Sequence, residues 1–212
     1  MPLSAWLSTG VGYGVLKVSR ICKWTRETKE VKISVEFNLD EPGEVQVVTP
    51  IPFFNHMLET FFMYMNSKAQ LSAEEKRTAD DHHIVEDCGI AIGEALNACL
   101  GSREGIKRFS HQVVPMDDAL VLVAVDISGR GGAYVDLRFR RESIGGLSLE
   151  NVPHFIDSLA SRAKITIHVL KLGGFNEHHI VEAVFKGLGI ALYEATRVVY
   201  PGTVKSLKGV LA

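Results

Sequence analysis

The first clear pattern in the chain is a strict alternation, with Val31, Ile33, Val35, Phe37 and Leu39 apolar and polar side chains between them. A period of two predicts a half-buried strand. Asp40-Glu41-Pro42-Gly43 predicts a turn, since proline presets φ and glycine accepts a positive one, and 45–48 a short return strand. After Pro50 and Pro52 the aromatic-rich stretch 53–65 has helical spacing, 69–77 reads as a more polar strand, and 81–100 as a second helix. The apolar stripe of that helix, Val85, Cys88, Ile92, Ala95, Leu96 and Cys99, recurs every three or four residues. Gly101 follows it as a C-cap. Residues 15–26 fit either a first strand or a loosely held arm.

The same order then returns. Residues 106–114 read as a connecting strand, 119–127 as an apolar strand and 128–132 as a Gly-rich turn. Alternation resumes over 133–139, with Val135, Leu137 and Phe139 on one face. A helix over 153–162, a strand over 164–170 with Ile165, Ile167 and Val169 inward, and a helix over 177–196 complete the half. The stripe of the last helix is Val181, Val184, Leu188, Ala191 and Ala195. Each half is strand, strand, helix, strand, helix, with room for one more strand in front. A supersecondary unit used twice implies duplication. The expected fold is an α/β (α+β) layered domain of two duplicated β-β-α-β-α halves, with sheets packed on paired helices. The organisation read from this is an N-terminal extension over 1–25, a first half over 26–105 and a second half over 106–212.

Composition narrows the function classes without choosing among them. At 212 residues the chain suits one large domain or two small ones packed together. Its net charge of −2 gives no basic excess for nucleic acid, and no apolar run is long enough to cross a bilayer. Three cysteines without CxxC spacing fit a reduced, cytosolic compartment, and Cys88 and Cys99, on one apolar stripe, read as small core side chains. The first 26 residues lack Asp and Glu but carry Lys17, Arg20, Lys23 and Arg26. Without an Arg-rich amphipathic pattern they read as an extension of a cytosolic protein rather than an organelle presequence.

The chemistry lies in a pentapeptide used twice, His82-His83-Ile84-Val85-Glu86 and His178-His179-Ile180-Val181-Glu182, 96 residues apart. Each copy opens a predicted helix, so the first His and the Glu, at i and i+4, share a face. Adjacent helical residues diverge by about 100°. The two imidazoles of one copy therefore face different ways, and each copy suits two metals, or one metal plus something else. Neutral imidazole with carboxylate is a ligand set for Mn, Fe, Ni or Zn. His56 and His154 also sit on predicted helices, at positions that do not match between the halves. With them the count is six histidines and two glutamates, three His and one carboxylate for each of two metals. An octahedral ion would keep two positions open for a substrate, and manganese is the natural candidate. His111 and His168 read as structural or surface residues.

Several motifs together resemble the imidazoleglycerol-phosphate dehydratase family. They are Phe54-x-His56-Met57-Leu58, Asp80-Asp81-His82-His83-x-x-Glu86-Asp87, Pro115-x-Asp117, Ser128-Gly129-Arg130, His154-Phe155, His178-His179-Ile180-x-Glu182-Ala183 and Lys208-Gly209-Val210-Leu211. The resemblance runs from about Arg26 to Leu211. It implies a Mn2+-dependent hydro-lyase of histidine biosynthesis, with two ions per site. The reaction would be loss of water from imidazole glycerol phosphate, a small phosphate ester, to give imidazole acetol phosphate. It also implies a homo-oligomer, a 24-subunit shell with sites at subunit interfaces. The metal ligands it implies are His56, His82, His83, Glu86, His154, His178, His179 and Glu182. Arg108, Arg130, Ser206 and Lys208 would hold the phosphate, which makes the C-terminal tail a phosphate-binding element. Glu30 would touch substrate and exchange protons, and Glu182 is the second carboxylate placed in the catalytic set. The sequence departs from the family pattern at Asn55, where Asp is usual, at Tyr64, where His is common, at Gly131-Gly132, which replaces a Pro-containing turn, and at Leu207, which interrupts a Ser-Ser-Lys element. Two other classes share the ligand set, a dinuclear metallohydrolase and a metal-storing shell protein without turnover.

Overall fold

The computed structural model describes residues 19–77 and 80–211. In the first half the order is β1 (Ile21–Glu27), β2 (Val31–Asn38), β3 (Val45–Val48), α1 (Pro52–Tyr64), β4 (Ala69–Glu75) and α2 (His82–Leu100). The second half contains β5 (Phe109–Met116), β6 (Ala119–Asp126), β7 (Gly132–Asp136), a small hairpin β8 (Ser143–Ile144) and β9 (Leu147–Ser148), α3 (Asn151–Ala163), β10 (Thr166–Gly173) and α4 (Glu177–Thr196). Leaving the hairpin aside, each half is β-β-β-α-β-α, so the extra front strand is present in both. Of the two readings of residues 15–26, the strand is seen over Ile21–Glu27; residues 1–18 lie outside the described residues.

The two sheets have one topology. Strands run β1-β2-β4-β3 in the first and β5-β6-β10-β7 in the second. In each, the third strand of the half is the edge strand and pairs parallel with the fourth, while the other pairings are antiparallel. The segment 45–48 is therefore not a return strand. Beyond the turn it crosses to the far edge, because β4 occupies the place beside β2.

Alternation buries one face of each sheet. Val31, Ile33, Val35 and Phe37 on β2, and Val121, Val123 and Val125 on β6, point at helices. α2 lies on β1 and β2, α4 on β5 and β6, and the helices pack across the halves, α2 on α3 and α1 on α4. Four helices thus sit between two sheets. Each pair comes close where a glycine removes a side chain. A Cβ on Gly93 of α2 would meet Leu159 O at 2.8 Å, and one on Gly189 of α4 would meet Met65 N at 2.9 Å and also Phe61 O. These glycines are 96 residues apart, the spacing of the histidine motifs. Both pairs run parallel, with the histidines at their N-terminal ends.

The outer faces of the sheets differ. The first carries Lys32, Ser34, Glu36, Gln70, Ser72 and Glu74 with Val48 exposed on its edge strand, whereas the second leaves Val113, Leu120, Tyr134, Leu170 and Leu172 exposed.

One cysteine reading is corrected. Cys22 on β1 and Cys99 in the last turn of α2 form a disulfide across 77 residues, with Cα atoms 5.2 Å apart. Cys99 lies partly buried where α2 meets β1, close enough to bond rather than simply to pack. The bond removes the cysteine argument for a reducing compartment. Cys88 is free and buried, as its place in the stripe requires.

Candidate active site

At the start of α4, Asn176 is the N-cap, its Oδ1 accepting from His178 N at 3.0 Å. That cap sets the helix phase, and the four-residue spacing puts His178 Nε2 3.3 Å from Glu182 Oε2. α1 starts with Pro52 in its first turn, a position that needs no N–H donor, and brings His56 Nε2 to 4.0 Å from the same oxygen. Donor atoms of His56, His178 and Glu182 all lie within 4.8 Å of one another. The second oxygen of Glu182 takes an ion pair from Lys186 at 2.9 Å. Burial works to raise the Glu182 pKa, but Lys186, with His56 and His178, holds it below the usual carboxylate value. Two imidazoles and an ionised carboxylate converging in this way fit a divalent transition metal.

α2 and α3 build the repeat-related cluster. His82 Nε2 stands 3.7 Å from Glu86 Oε2, and the rings of His82 and His154 are 5.1 Å apart. His154 is the fourth residue of α3 and His56 the fifth of α1, so the mismatch in number is absorbed by the helix starts. Each meets the first histidine of the motif from the other half. His82 Nδ1 lies 3.0 Å from Asn151 Oδ1, an acceptor, so Nδ1 carries the proton and Nε2 keeps its lone pair for a metal. Asp81 accepts from Ser148 N and Oγ at 2.6 and 2.8 Å, tying the β8–β9 hairpin to the start of α2.

The second histidine of each copy turns away, as the helical repeat requires. The planes of His82 and His83 are 83° apart and those of His178 and His179 84° apart. His83 Nδ1 faces Glu30 Oε2 at 3.7 Å. His179 Nδ1 donates to Asp118 Oδ1 at 2.6 Å, and its Nε2 is 3.3 Å from Asp117 Oδ2. Backbone N–H of Phe175, His179 and backbone N–H of Asn176 all donate to Asp118 and hold its pKa far below the ordinary value.

The residues expected to hold phosphate lie elsewhere in the chain. Arg108 pairs with Asp126 (Nε–Oδ1 2.8 Å), donates to Lys205 O, and so holds the C-terminal tail that carries Ser206 and Lys208. Lys208 N donates to Ser206 Oγ at 3.2 Å. Arg108 N bonds Ala195 O near the C-terminal end of α4. His179 is at the other end, about 24 Å away along the helix axis. Arg130 is exposed on a turn beside the end of α3, and its side chain has no ion-pair partner among the described residues. One chain therefore gathers the eight His and Glu side chains at the helix starts and Arg108 with the tail at a helix end, without joining the two groups.

Sequence reasoning missed Lys186, Asp118, Asn151 and Arg103. Lys186 was readable as the i+4 partner of Glu182. Arg103 is buried, donates to Leu211 O at 2.8 Å and Asn97 Oδ1 at 2.7 Å, and anchors the chain's end; its neighbours in sequence give no hint of this. Two departures from the family pattern find local reasons. The Asn55 amide both accepts from Thr49 N and donates to Thr49 O, which a carboxylate could not do. Tyr64 lies under Lys186, its ring centre 5.5 Å from Nζ. Leu207 is fully exposed.

This arrangement defines a duplicated α/β protein with His-Glu groups at the starts of its paired helices, and known proteins with the same fold narrow it further. A dehydratase of Pyrococcus furiosus, solved in complex with (S)-C348, superposes with a TM-score of 0.76 at 40% identity, covering 88% of this chain and 99% of that one. The Staphylococcus aureus imidazoleglycerol-phosphate dehydratase gives 0.73 at 30% identity, over 85% and 99%. Among curated relatives, the imidazoleglycerol-phosphate dehydratase of Saccharolobus solfataricus is 58% identical over 92% of this chain and all of its own, and that of Sulfurisphaera tokodaii 54% identical over 91% and 99%. Residues 49–192 match the family described as imidazoleglycerol-phosphate dehydratase. The chain belongs to the imidazoleglycerol-phosphate dehydratase family, and as a member it is a hydro-lyase of histidine biosynthesis.

Proposed function

We propose that this chain removes water from imidazole glycerol phosphate to give imidazole acetol phosphate, using two Mn2+ ions per site. The observation that carries the proposal is the His56-His178-Glu182 cluster, whose donor atoms lie within 4.8 Å of one another, with His82, Glu86 and His154 at the repeat-related place and the second histidine of each motif directed away. Two imidazoles and one carboxylate from one chain, plus an outward His83 or His179 from a neighbour, make three His and one Glu around each ion. Positions remain open for the substrate ring. Bound there, Mn2+ supplies a Lewis acid at the ring nitrogens, which makes the hydrogen on the carbon beside the ring acidic. Glu30, beside His83 and about half exposed, takes that proton as general base. The hydroxyl of the neighbouring carbon departs with the proton that Glu30 took, forming water and returning Glu30 to its carboxylate, and the resulting enol tautomerises to the ketone. Glu182 is set to remain ionised by Lys186 and serves as ligand.

Arg108, Arg130, Ser206 and Lys208 bind the phosphate in this reading, guanidinium being suited to two-bond contact with phosphate oxygens. Arg108 keeps one guanidinium edge on Asp126, so phosphate binding there shares the group with an existing ion pair. Because Arg108 with the C-terminal tail and the histidines of α4 lie at opposite ends of that helix, the complete site draws on more than one subunit, and we propose the 24-subunit shell. Exposed Val113, Leu120, Tyr134, Leu170 and Leu172 support association, since apolar patches of this kind mark contact surfaces. We place the enzyme in the cytoplasm, where a charged phosphate ester is retained. A disulfide in that compartment is typical of hyperthermophiles rather than of other cells.

The test is direct. Metal-stripped protein, given Mn2+ and imidazole glycerol phosphate, should form the ketone, and a chelator should stop it. No product with Mn2+ restored overturns the reading; phosphate release instead would favour a metallohydrolase. Native mass checks the shell, and a stable, active monomer would contradict shared sites.

A further inference from the structure

We infer that Asp118 is a positioning residue that fixes the metal-facing nitrogen of His179, an inference that rests on the dehydratase reading above. Glu30 and Asp118 are counterparts. Each is the last residue before the second strand of its half, and each faces the second histidine of that half's motif. They are used differently. Glu30 Oε2 stands 3.7 Å from His83 Nδ1, outside hydrogen-bond reach, with its side chain 42% exposed. Asp118 is 19% exposed and has both oxygens occupied. Oδ2 accepts from Phe175 N at 2.7 Å and Asn176 N at 3.0 Å, and Oδ1 accepts from His179 Nδ1 at 2.6 Å.

The backbone around it leaves little room to move. Asp117 holds φ at +47°, which bends the β5–β6 turn toward the start of α4. Gly174, at φ +111°, lies so close that an added Cβ would meet Ala119 Cα at 2.7 Å. Turn and helix start are thus bound by one short carboxylate. A carboxylate on Nδ1 keeps the proton there, leaves the lone pair on Nε2, which stands 3.3 Å from the exposed Asp117 Oδ2 and 3.5 Å from Asn176 Nδ2, and raises the basicity of the ligand. His83 has no such hydrogen bond from Glu30. Of two carboxylates placed alike by the duplication, the longer one remains available for proton transfer and the shorter one is built into the scaffold.

The experiment measures Mn2+ affinity calorimetrically in wild type, Asp118→Asn, His179→Ala and the double variant, with the fold checked by circular dichroism and native mass. Asp118→Asn should bind Mn2+ at least about tenfold more weakly, with activity recovering as Mn2+ is raised. The double variant should lose no more than His179→Ala alone, since Asp118 acts through that ring. Unaltered affinity in Asp118→Asn, or losses that add, overturn the inference. A measurement on metal-stripped wild-type protein needs no Asp118 variant. Its 15N-labelled His179, assigned with His179→Gln, should be protonated at Nδ1, and protonation at Nε2 overturns the inference. Wild-type protein that takes up no Mn2+ overturns both readings, whereas normal uptake with an indifferent Asp118→Asn overturns this one alone.

Discussion

At the α1/α4 end, Glu182 is nearly buried, gives one oxygen to Lys186 and turns the other to His56 and His178. At the α2/α3 end, the Glu86 side chain is 41% exposed, and Ile90 stands where Lys186 would be, 96 residues earlier. The supports of the first histidines differ as well. Three residues before His56, Phe53 places its ring 5.0 Å from that of His178; three before His154, Asn151 offers an oxygen to His82. The duplication has kept the ligands and the glycine at the helix crossing, and has let the surroundings diverge. In the dehydratase reading, metal ligation accounts for the first set. Local packing decides the second, so the cluster with the buried ion pair is already assembled in one chain and the other is looser.

The largest effects should expose this difference. Glu182→Ala leaves Lys186 mostly buried without its anion, and removing one partner of such a pair costs about 3–5 kcal/mol. Glu86→Ala removes a half-exposed carboxylate and should change stability by less than about 0.5 kcal/mol. Urea unfolding of metal-stripped protein measures both, and equal losses would erase the contrast. Both variants should bind less Mn2+. The pH dependence follows from the lowered Glu182 pKa. Its contribution to stability is present above the unfolded carboxylate value and is lost as pH falls through the folded one, so an acid scan of wild type should lose stability that Glu182→Gln lacks.

The disulfide sharpens the comparison of whole halves. Cys22–Cys99 staples only the first; Ser110 and Ala195 stand at the related places in the second. Reduction, or Cys22→Ser, should cost about 2–4 kcal/mol in denaturant unfolding, through the 77-residue loop it frees. No change on reduction would mean that β1 is held by its pairing with β2 alone. Gly93→Ala and Gly189→Ala test what the halves share. Each puts a methyl against backbone of the facing helix, at about 1–3 kcal/mol of strain. Similar thermal shifts are expected, and a large effect at one glycine only would show that the two crossings are not equivalent.

The sequence carried the layers, the duplication and the eight candidate ligands, because strand and helix periods and the divergence of adjacent helical residues are local properties. It did not carry the place of β3, since a four-residue strand says nothing about which neighbour it pairs with. Nor could it pair His56 with His178 rather than with His82, which depends on helices crossing between halves. The Cys22–Cys99 bond was hidden because apolar spacing alone makes Cys99 look like core. Asp118 was passed over because a carboxylate in a turn is common, and its three donors come from the chain around Phe175, Asn176 and His179. The distance between Arg108 and the histidines became visible only with α4 in place.

Asn151→Ala acts on one cluster alone and separates the two supports. Asn151 is 2% exposed, and its Oδ1 is the only hydrogen-bond partner recorded for the His82 ring among the described residues. Without it, the His82 ring can rotate and choose either tautomer, so Mn2+ should bind the α2/α3 cluster about tenfold more weakly. The α1/α4 cluster should keep its affinity, because its carboxylate is fixed by Lys186 and its His178 rests on Phe53 rather than on a hydrogen bond. Calorimetric titration should then resolve two classes of Mn2+ site where wild type shows closer affinities. A uniform drop in both classes would mean that the clusters are filled as one unit, and that the difference in their supports does not reach the metals.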